Sequence, residues 1–380
     1  MIILNIRYFD HAATTPVKEE VLKEMLPYLN IEYGNPSSMY CLGRNAKKAI
    51  DEARLRVAKA INASYKEIFF TGSGTESDNL AIKGVAYANK NRGNHIITSK
   101  IEHPAVLNTC HKLEKEGFNI TYLNVDKNGM INLQELQNAI TNKTILISIM
   151  FANNEIGTIQ PIKEIGEIAR LKRIYFHTDA VQAMGNIRIN VQTLNIDLLS
   201  MSAHKFYGPK GVGAIYIKQE VEIQKMQDGG HQEKDKRAGT ENVAGIVGIG
   251  KAIQIAHENI EQYNKKLIDL RDYFIKEIEE KIPDVVVNGH RTKRLPGNVN
   301  ISFKNIAGEE LLLKLDEKGI CASGGSACSS GSPLPSHVLL ALGLPKELSG
   351  GALRITFGCD NSKEDVDYLV ASLIEIISKL

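Results

Sequence analysis

The stretch Glu67-Ile68-Phe69-Phe70-Thr71-Gly72-Ser73-Gly74-Thr75-Glu76-Ser77-Asp78-Asn79 decides how the chain folds. Its first five residues are rich in β-branched and aromatic side chains and read as a strand. A turn of small residues follows, and Thr75 to Asn89 reads as a helix. The alternation continues outward. His95–Ser99 reads as a strand, and Pro104–Gly117 as a helix with proline in its first turn, where no amide donor is needed. Ile145–Met150 is a continuous apolar run, as expected of a strand covered on both faces. A helix over Lys163–Leu171 comes next, then strands over Ile174–Thr178, Ile196–Met201 and Val212–Ile217. Such a series predicts an α/β fold with a mostly parallel sheet and helices on both faces.

Beyond this region a helical stretch spans Val243 to Lys281, expected to bend or break midway. Its second part places Leu267, Leu270, Phe274 and Ile278 on one face. After Pro283 the pattern changes to strand (Asn298–Phe303), helix (Glu309–Lys318), strand (Leu353–Phe357) and a last helix from Lys363 to Leu380. This predicts a smaller C-terminal α+β domain. The division expected is a large domain over 16–260 and a small one made of 1–15 and 261–380.

A length of 380 residues suits two domains. The net charge of +2 is nearly balanced, with no run of one sign, so nucleic acid and anionic lipid are not expected partners. No 18-residue uncharged apolar run is present, which argues against a membrane span. The apolar start, Met1 to Ile6, is too short for a signal peptide, so a cytoplasmic enzyme is expected. Five cysteines, at 41, 110, 321, 328 and 359, make a poor disulfide or zinc framework. Four of them read as small buried hydrophobes.

Four constellations carry chemistry, each at a strand end or in a loop, where α/β sheets place ligands. Thr71 to Ser77 either offers helix N–H groups and hydroxyls to a phosphate or merely shapes a tight turn. Asp179, in His177-Thr178-Asp179-Ala180-Val181-Gln182, either pairs with a pyridine nitrogen or caps a helix. Ser202-Ala203-His204-Lys205, before a Gly- and Pro-rich turn, is the strongest signal. A partly desolvated lysine amine there can form a Schiff base. Finally, Cys328 lies in the small polar run Ala322 to Gly331 within a loop expected over 322–335. Ser329 to Pro335 reads as exposed and flexible, a setting that suits a reactive thiolate rather than a packed core residue.

Together these motifs resemble the cysteine desulfurases, pyridoxal 5′-phosphate (PLP) enzymes of the class V aminotransferase-like group with fold-type I architecture. The resemblance runs through Asp10-His11-Ala12-Ala13-Thr14-Thr15-Pro16, Gly34-Asn35-Pro36-Ser37-Ser38 and Thr75-Glu76-Ser77-Asp78-Asn79. It continues through Glu102-His103, Asn153-Asn154-Glu155-Ile156-Gly157, Arg237-Ala238-Gly239-Thr240, the Cys328 loop and Leu353-Arg354-Ile355.

The resemblance implies a seven-stranded sheet in the large domain. Lys205 would carry the cofactor as a Schiff base and later move the substrate proton. Gly74, Thr75, Ser202 and His204 would hold the phosphate, with Thr240 reaching it from the partner subunit of a homodimer. His103 would stack on the ring and assist proton transfers as a catalytic residue, Asp179 would pair with the ring nitrogen, and Gln182 and Asn154 would contact its oxygen. Arg354, with Asn154 beside it, would grip the carboxylate of L-cysteine. Cys328 would take the sulfur as a persulfide, leaving alanine, and pass it to an acceptor such as an iron–sulfur scaffold. No intrinsic metal is implied, although Cys328 could transiently ligate a cluster shared with that scaffold. The long loop after Gly-Ser-Ala-Cys resembles the group that feeds cluster assembly. Tyr40 departs from the histidine of many relatives, and the tail that some members use to dock a scaffold is short or absent here, which leaves the acceptor open. The rivals are an aminotransferase of the same fold, which has no use for Cys328, and a non-catalytic binding module, which has none for Lys205.

Overall fold

Adjacent residues along each central strand enter different apolar cores. In a computed structural model, which describes residues 6–324 and 336–379, Phe69, Ile96, Leu146 and Leu198 share one core. Their neighbours Phe70, Ile97, Ile147 and Leu199 share another. This is the period-two geometry of a strand with a helical layer on either side. The helices Gly74–Ala88 and Pro104–Lys115 cover the first face. Cys41–Ala60, Ile162–Lys172 and the start of Val243–Lys281 cover the second.

The sheet has seven strands, in the order Ile68–Thr71, Gly213–Ile217, Leu198–Ser202, Tyr175–Asp179, Thr144–Ser148, His95–Ser99, Asn119–Leu123. Gly213–Ile217 runs against its neighbours, and every other pairing is parallel. The α/β class with a mostly parallel seven-stranded sheet is therefore as expected.

A separate core gathers Phe9, Leu267, Phe274, Ile301, Leu353 and Leu369. Its sheet is antiparallel, in the order Ala352–Thr356, Asn298–Phe303, Val285–Asn288. Arg7–Tyr8 pairs with Ile320–Cys321. The helix Val243–Lys281 joins the two regions, with Ile246 and Ile249 in the central core and Leu267 and Phe274 in the smaller one.

Two expectations need correction. Of a bend or a break midway in the long helix, the break is excluded: it runs 39 residues without interruption, because no glycine or proline falls between Lys251 and Lys281 to interrupt its hydrogen bonds. Nor are the cysteines uniformly buried. Cys110 is, but Cys321 and Cys359 are half-buried and Cys41 is exposed. Cys41 opens the helix Cys41–Ala60 on the side away from Ala46, Ile50 and Val57, which face the core. Cys328 and the loop reading of Ser329–Pro335 lie outside the described residues. Among the described residues no helix is long and apolar enough to cross a membrane.

Candidate active site

The strands deliver chemistry at one edge of the sheet. Ile68–Thr71 leads into Ser73 and Gly74, and His95–Ser99 into Glu102 and His103. Thr144–Ser148 leads to Asn154, Tyr175–Asp179 ends on Asp179, and Leu198–Ser202 turns into His204 and Lys205. These carboxyl ends surround a cavity of about 220 Å³. Gly74, Thr75, Ser202 and His204 line it, as do His103, Asn154, Asp179 and Gln182. Lys205 and Arg354 complete the wall. Residues spread over most of the chain are thus brought together. Thr240 is not among them; it is exposed and does not line its own chain's cavity.

The helix Gly74–Ala88 begins at the cavity, with Ser73 as its cap accepting from Glu76 N at 3.1 Å. The positive end of a 15-residue helix thus faces the space. Glu76 also accepts from Gly72 N at 2.7 Å and pairs with Arg237 at 2.8 Å, which fixes the turn from behind. A Cβ at Gly74 would lie 2.6 Å from Val181 Cγ2 and 3.4 Å from Ser202 Cβ. Only glycine lets the backbone come this close, so the turn fits a phosphate cradle better than a generic bend.

Lys205 ends the short turn Ala203–Lys205, and its Nζ donates to Ala12 O at 2.6 Å and Ala13 O at 2.8 Å. The Gln182 amide donates to the same Ala12 oxygen at 2.9 Å. Asp179 accepts from Val181 N at 2.9 Å. Burial pushes its carboxyl above the usual range, while His103 and Lys205 pull it back. A cation set against it would relieve that burial cost, which suits a protonated pyridine nitrogen.

His103 caps the helix Pro104–Lys115, its Nδ1 accepting from Ala105 N at 3.1 Å. Burial, opposed by Asp179, lowers its pKa. The neutral ring therefore carries its proton on Nε2. His204 is brought down to about 4 by burial, Lys205 and Lys210, and its Nδ1 lies 3.1 Å from Thr14 Oγ1.

Arg354 is buried on the small sheet. Its Nη2 pairs with Asp10 Oδ1 at 2.7 Å and its Nη1 donates to Asn154 O at 3.2 Å, while Nε has no partner among the described residues. Ser323 Oγ donates to Asp10 Oδ2 at 2.6 Å, and His337 Nε2 lies 3.0 Å from Glu102 O. The described residues on either side of 325–335 are thus both tied to neighbours of the cavity. Sequence reasoning assigned no role to Asp10, to the Ala12 and Ala13 carbonyls or to Asp78. Asp10 and the two alanines stood in a quoted motif, but only the fold brings them to Arg354 and Lys205.

A family model described as aminotransferase class-V matches residues 7–369. A protein of Clostridium botulinum named cysteine desulfurase IscS is 59% identical over 374 residues, covering 98% of this chain and 94% of that protein. One of the same name from Methanosarcina thermophila is 58% identical over 373 residues, covering 98% and 92%. Among solved structures, a NifS-like protein superposes with a TM-score of 0.93 at 39% identity, over 99% of this chain and all of that one. A structure described as SspA in complex with cysteine gives 0.83 at 39% identity, over 93% and 99%.

Proposed function

As the chain belongs to the class-V aminotransferase family and, within it, to the cysteine desulfurases, we propose how its own residues perform that activity. The enzyme is a PLP-dependent cysteine desulfurase. When bound, PLP supplies an electron sink that lets the bonds of a substrate amine be broken. Gly74 and Thr75 with the helix N-terminus, together with Ser202 and His204, would hold its phosphate. Asp179 would pair with the ring nitrogen, Gln182 and Asn154 would contact the ring oxygen, and His103 would stack on the ring. Lys205 would anchor the cofactor, and its amine would move the Cα proton of L-cysteine.

Arg354 grips the substrate carboxylate from the cavity wall. The Cys328 thiolate forms a bond to the substrate sulfur as the Cβ–S bond breaks. The sulfur stays on Cys328 as a persulfide and the carbon skeleton leaves as alanine. The ties of Ser323 to Asp10 and of His337 to Glu102, beside Arg354 and His103, support delivery of Cys328 to this cavity.

The finer readings are proposals of the same kind. The two-domain division at about residue 260 is supported by the separate apolar cores. A homodimer in which Thr240 serves the partner's phosphate accounts for its exposure and its absence from the wall of its own chain's cavity. The persulfide goes to a sulfur-acceptor protein such as an iron–sulfur scaffold, with Cys328 as a transient cluster ligand, in the cytoplasm.

The convergence of Lys205, Asp179 and Arg354 on one cavity carries the reading. Borohydride reduction of the holoenzyme tests it: the cofactor should be locked onto the peptide containing Lys205. A label on any other lysine would overturn the assignment.

A further inference from the structure

Asp78 lies one turn into the helix Gly74–Ala88 and lines the same cavity as Asp179. It is 1% exposed, and its Oδ1 has no hydrogen-bond partner among the described residues. His177 Nε2 stands 3.6 Å from that oxygen. That ring is already engaged, with Nδ1 2.8 Å from Ser148 Oγ and Nε2 3.0 Å from Ser200 Oγ. Burial drives it down to about 3, so it brings no positive charge.

The other groups facing Asp78 are the Ser200 hydroxyl and two more acids. Asp179 ends the strand Tyr175–Asp179, and Glu102 lies in the turn after His95–Ser99. Glu102 is bonded to Ser99 Oγ at 2.6 Å and Met150 N at 3.0 Å. The other titratable groups of the pocket, His103 and Lys205, act on Asp179 and favour its charge. Three carboxyl groups in a closed, low-dielectric space cannot all ionise. Asp179 has the Val181 N–H, His103 and Lys205 in favour of its charge; Asp78 has a serine hydroxyl.

We propose that Asp78 is a positioning residue that stays a neutral acid beneath the cofactor, so that the pocket's negative charge rests on Asp179. This builds on the pairing of Asp179 with the ring nitrogen. Burial and the Asp179 charge both raise the Asp78 carboxyl well above its ordinary range, in keeping with this assignment. The contribution of such a group to stability is complete below the ordinary carboxyl pKa and is lost as pH rises.

The test compares Asp78→Asn, Asp78→Ala and Asp179→Asn, each titrated with PLP and followed by the absorbance of the bound cofactor across pH. Thermal unfolding of each apoprotein is followed in parallel. Asparagine mimics the neutral acid, so Asp78→Asn should keep cofactor affinity within about threefold, whereas Asp78→Ala loses about tenfold or more with its polar contact. The pH dependence of the bound-cofactor spectrum should move in Asp179→Asn and stay put in Asp78→Asn. The wild-type apoprotein should lose stability as pH rises above the ordinary carboxyl range, and Asp78→Asn should flatten that limb.

If Asp78→Asn shifts the cofactor spectrum or loses affinity as severely as Asp78→Ala, the proposal is overturned. An unchanged alkaline limb in Asp78→Asn overturns it too, whatever the cofactor does. Normal binding and an unmoved spectrum in Asp179→Asn would instead sink the pairing of Asp179 with the ring. The apoprotein curves would still decide whether Asp78 holds its proton.

Discussion

Arg354 and Asp10, 344 residues apart in sequence, meet at 2.7 Å between Nη2 and Oδ1. The contact fastens the small sheet to the N-terminal segment that also receives Lys205 through Ala12 and Ala13. One guanidinium thus braces the fold while lining the cavity. A lysine cannot serve both ends. Arg354→Lys should raise KM for L-cysteine about tenfold or more, with a smaller change in kcat, as steady-state kinetics will show. Asp10→Ala, which leaves a buried guanidinium unpaired, should cost about 3 kcal/mol in denaturant unfolding.

Gly74→Ala tests the phosphate cradle. Its new methyl would stand 2.6 Å from Val181 Cγ2, so the turn must open or the valine must move. Cofactor affinity, read from absorbance during PLP titration, should fall about tenfold or more, while the apoprotein stays folded by circular dichroism.

Acid should loosen the apoprotein through its buried histidines. His11 is held down to about 4 by burial, against the pull of Asp360 and Asp10, and its Nδ1 has no partner among the described residues. The unfolded chain takes up this proton near pH 6.5 and the folded chain only near pH 4. Stability is therefore lost as pH falls through that window, by at most about 3 kcal/mol for this residue. His11→Asn should lose less stability than wild type between about pH 7 and about pH 4.5, measured by urea unfolding at each pH.

Mixed dimers test the role of Thr240. A Thr240→Ala chain paired with a Lys205→Ala chain contains one cavity with both side chains intact, if Thr240 serves the partner. That single site should bind PLP as wild type does, whereas the Thr240→Ala homodimer binds more weakly. Equal weakness in both would place Thr240 with its own chain.

The sheet was largely legible because buried parallel strands are written as continuous apolar runs, and Thr144–Ser148 is buried at every residue. Asn119–Leu123 escaped notice for the opposite reason. It is an edge strand, exposed at Asn119 and fully buried only at Leu123. The site residues next to glycine- and serine-rich turns were legible as motifs, because close backbone approach leaves a local trace. Asp78 left none. A carboxyl inside a helix reads as a surface charge, and only the packing of Gly74–Ala88 against the sheet turns it inward. The unbroken helix Val243–Lys281 was misjudged because its two apolar stretches face two different cores.

The meeting of an amine on the central sheet with a thiol from the C-terminal region is the heart of the account. Its most direct test is to add L-cysteine to the purified holoenzyme, trap the thiols and map the peptides by mass. One added sulfur should appear on the peptide bearing Cys328, and Cys328→Ala should form neither persulfide nor alanine at an appreciable rate. Alanine released at the wild-type rate by Cys328→Ala, or sulfur carried on Cys41 instead, would contradict it.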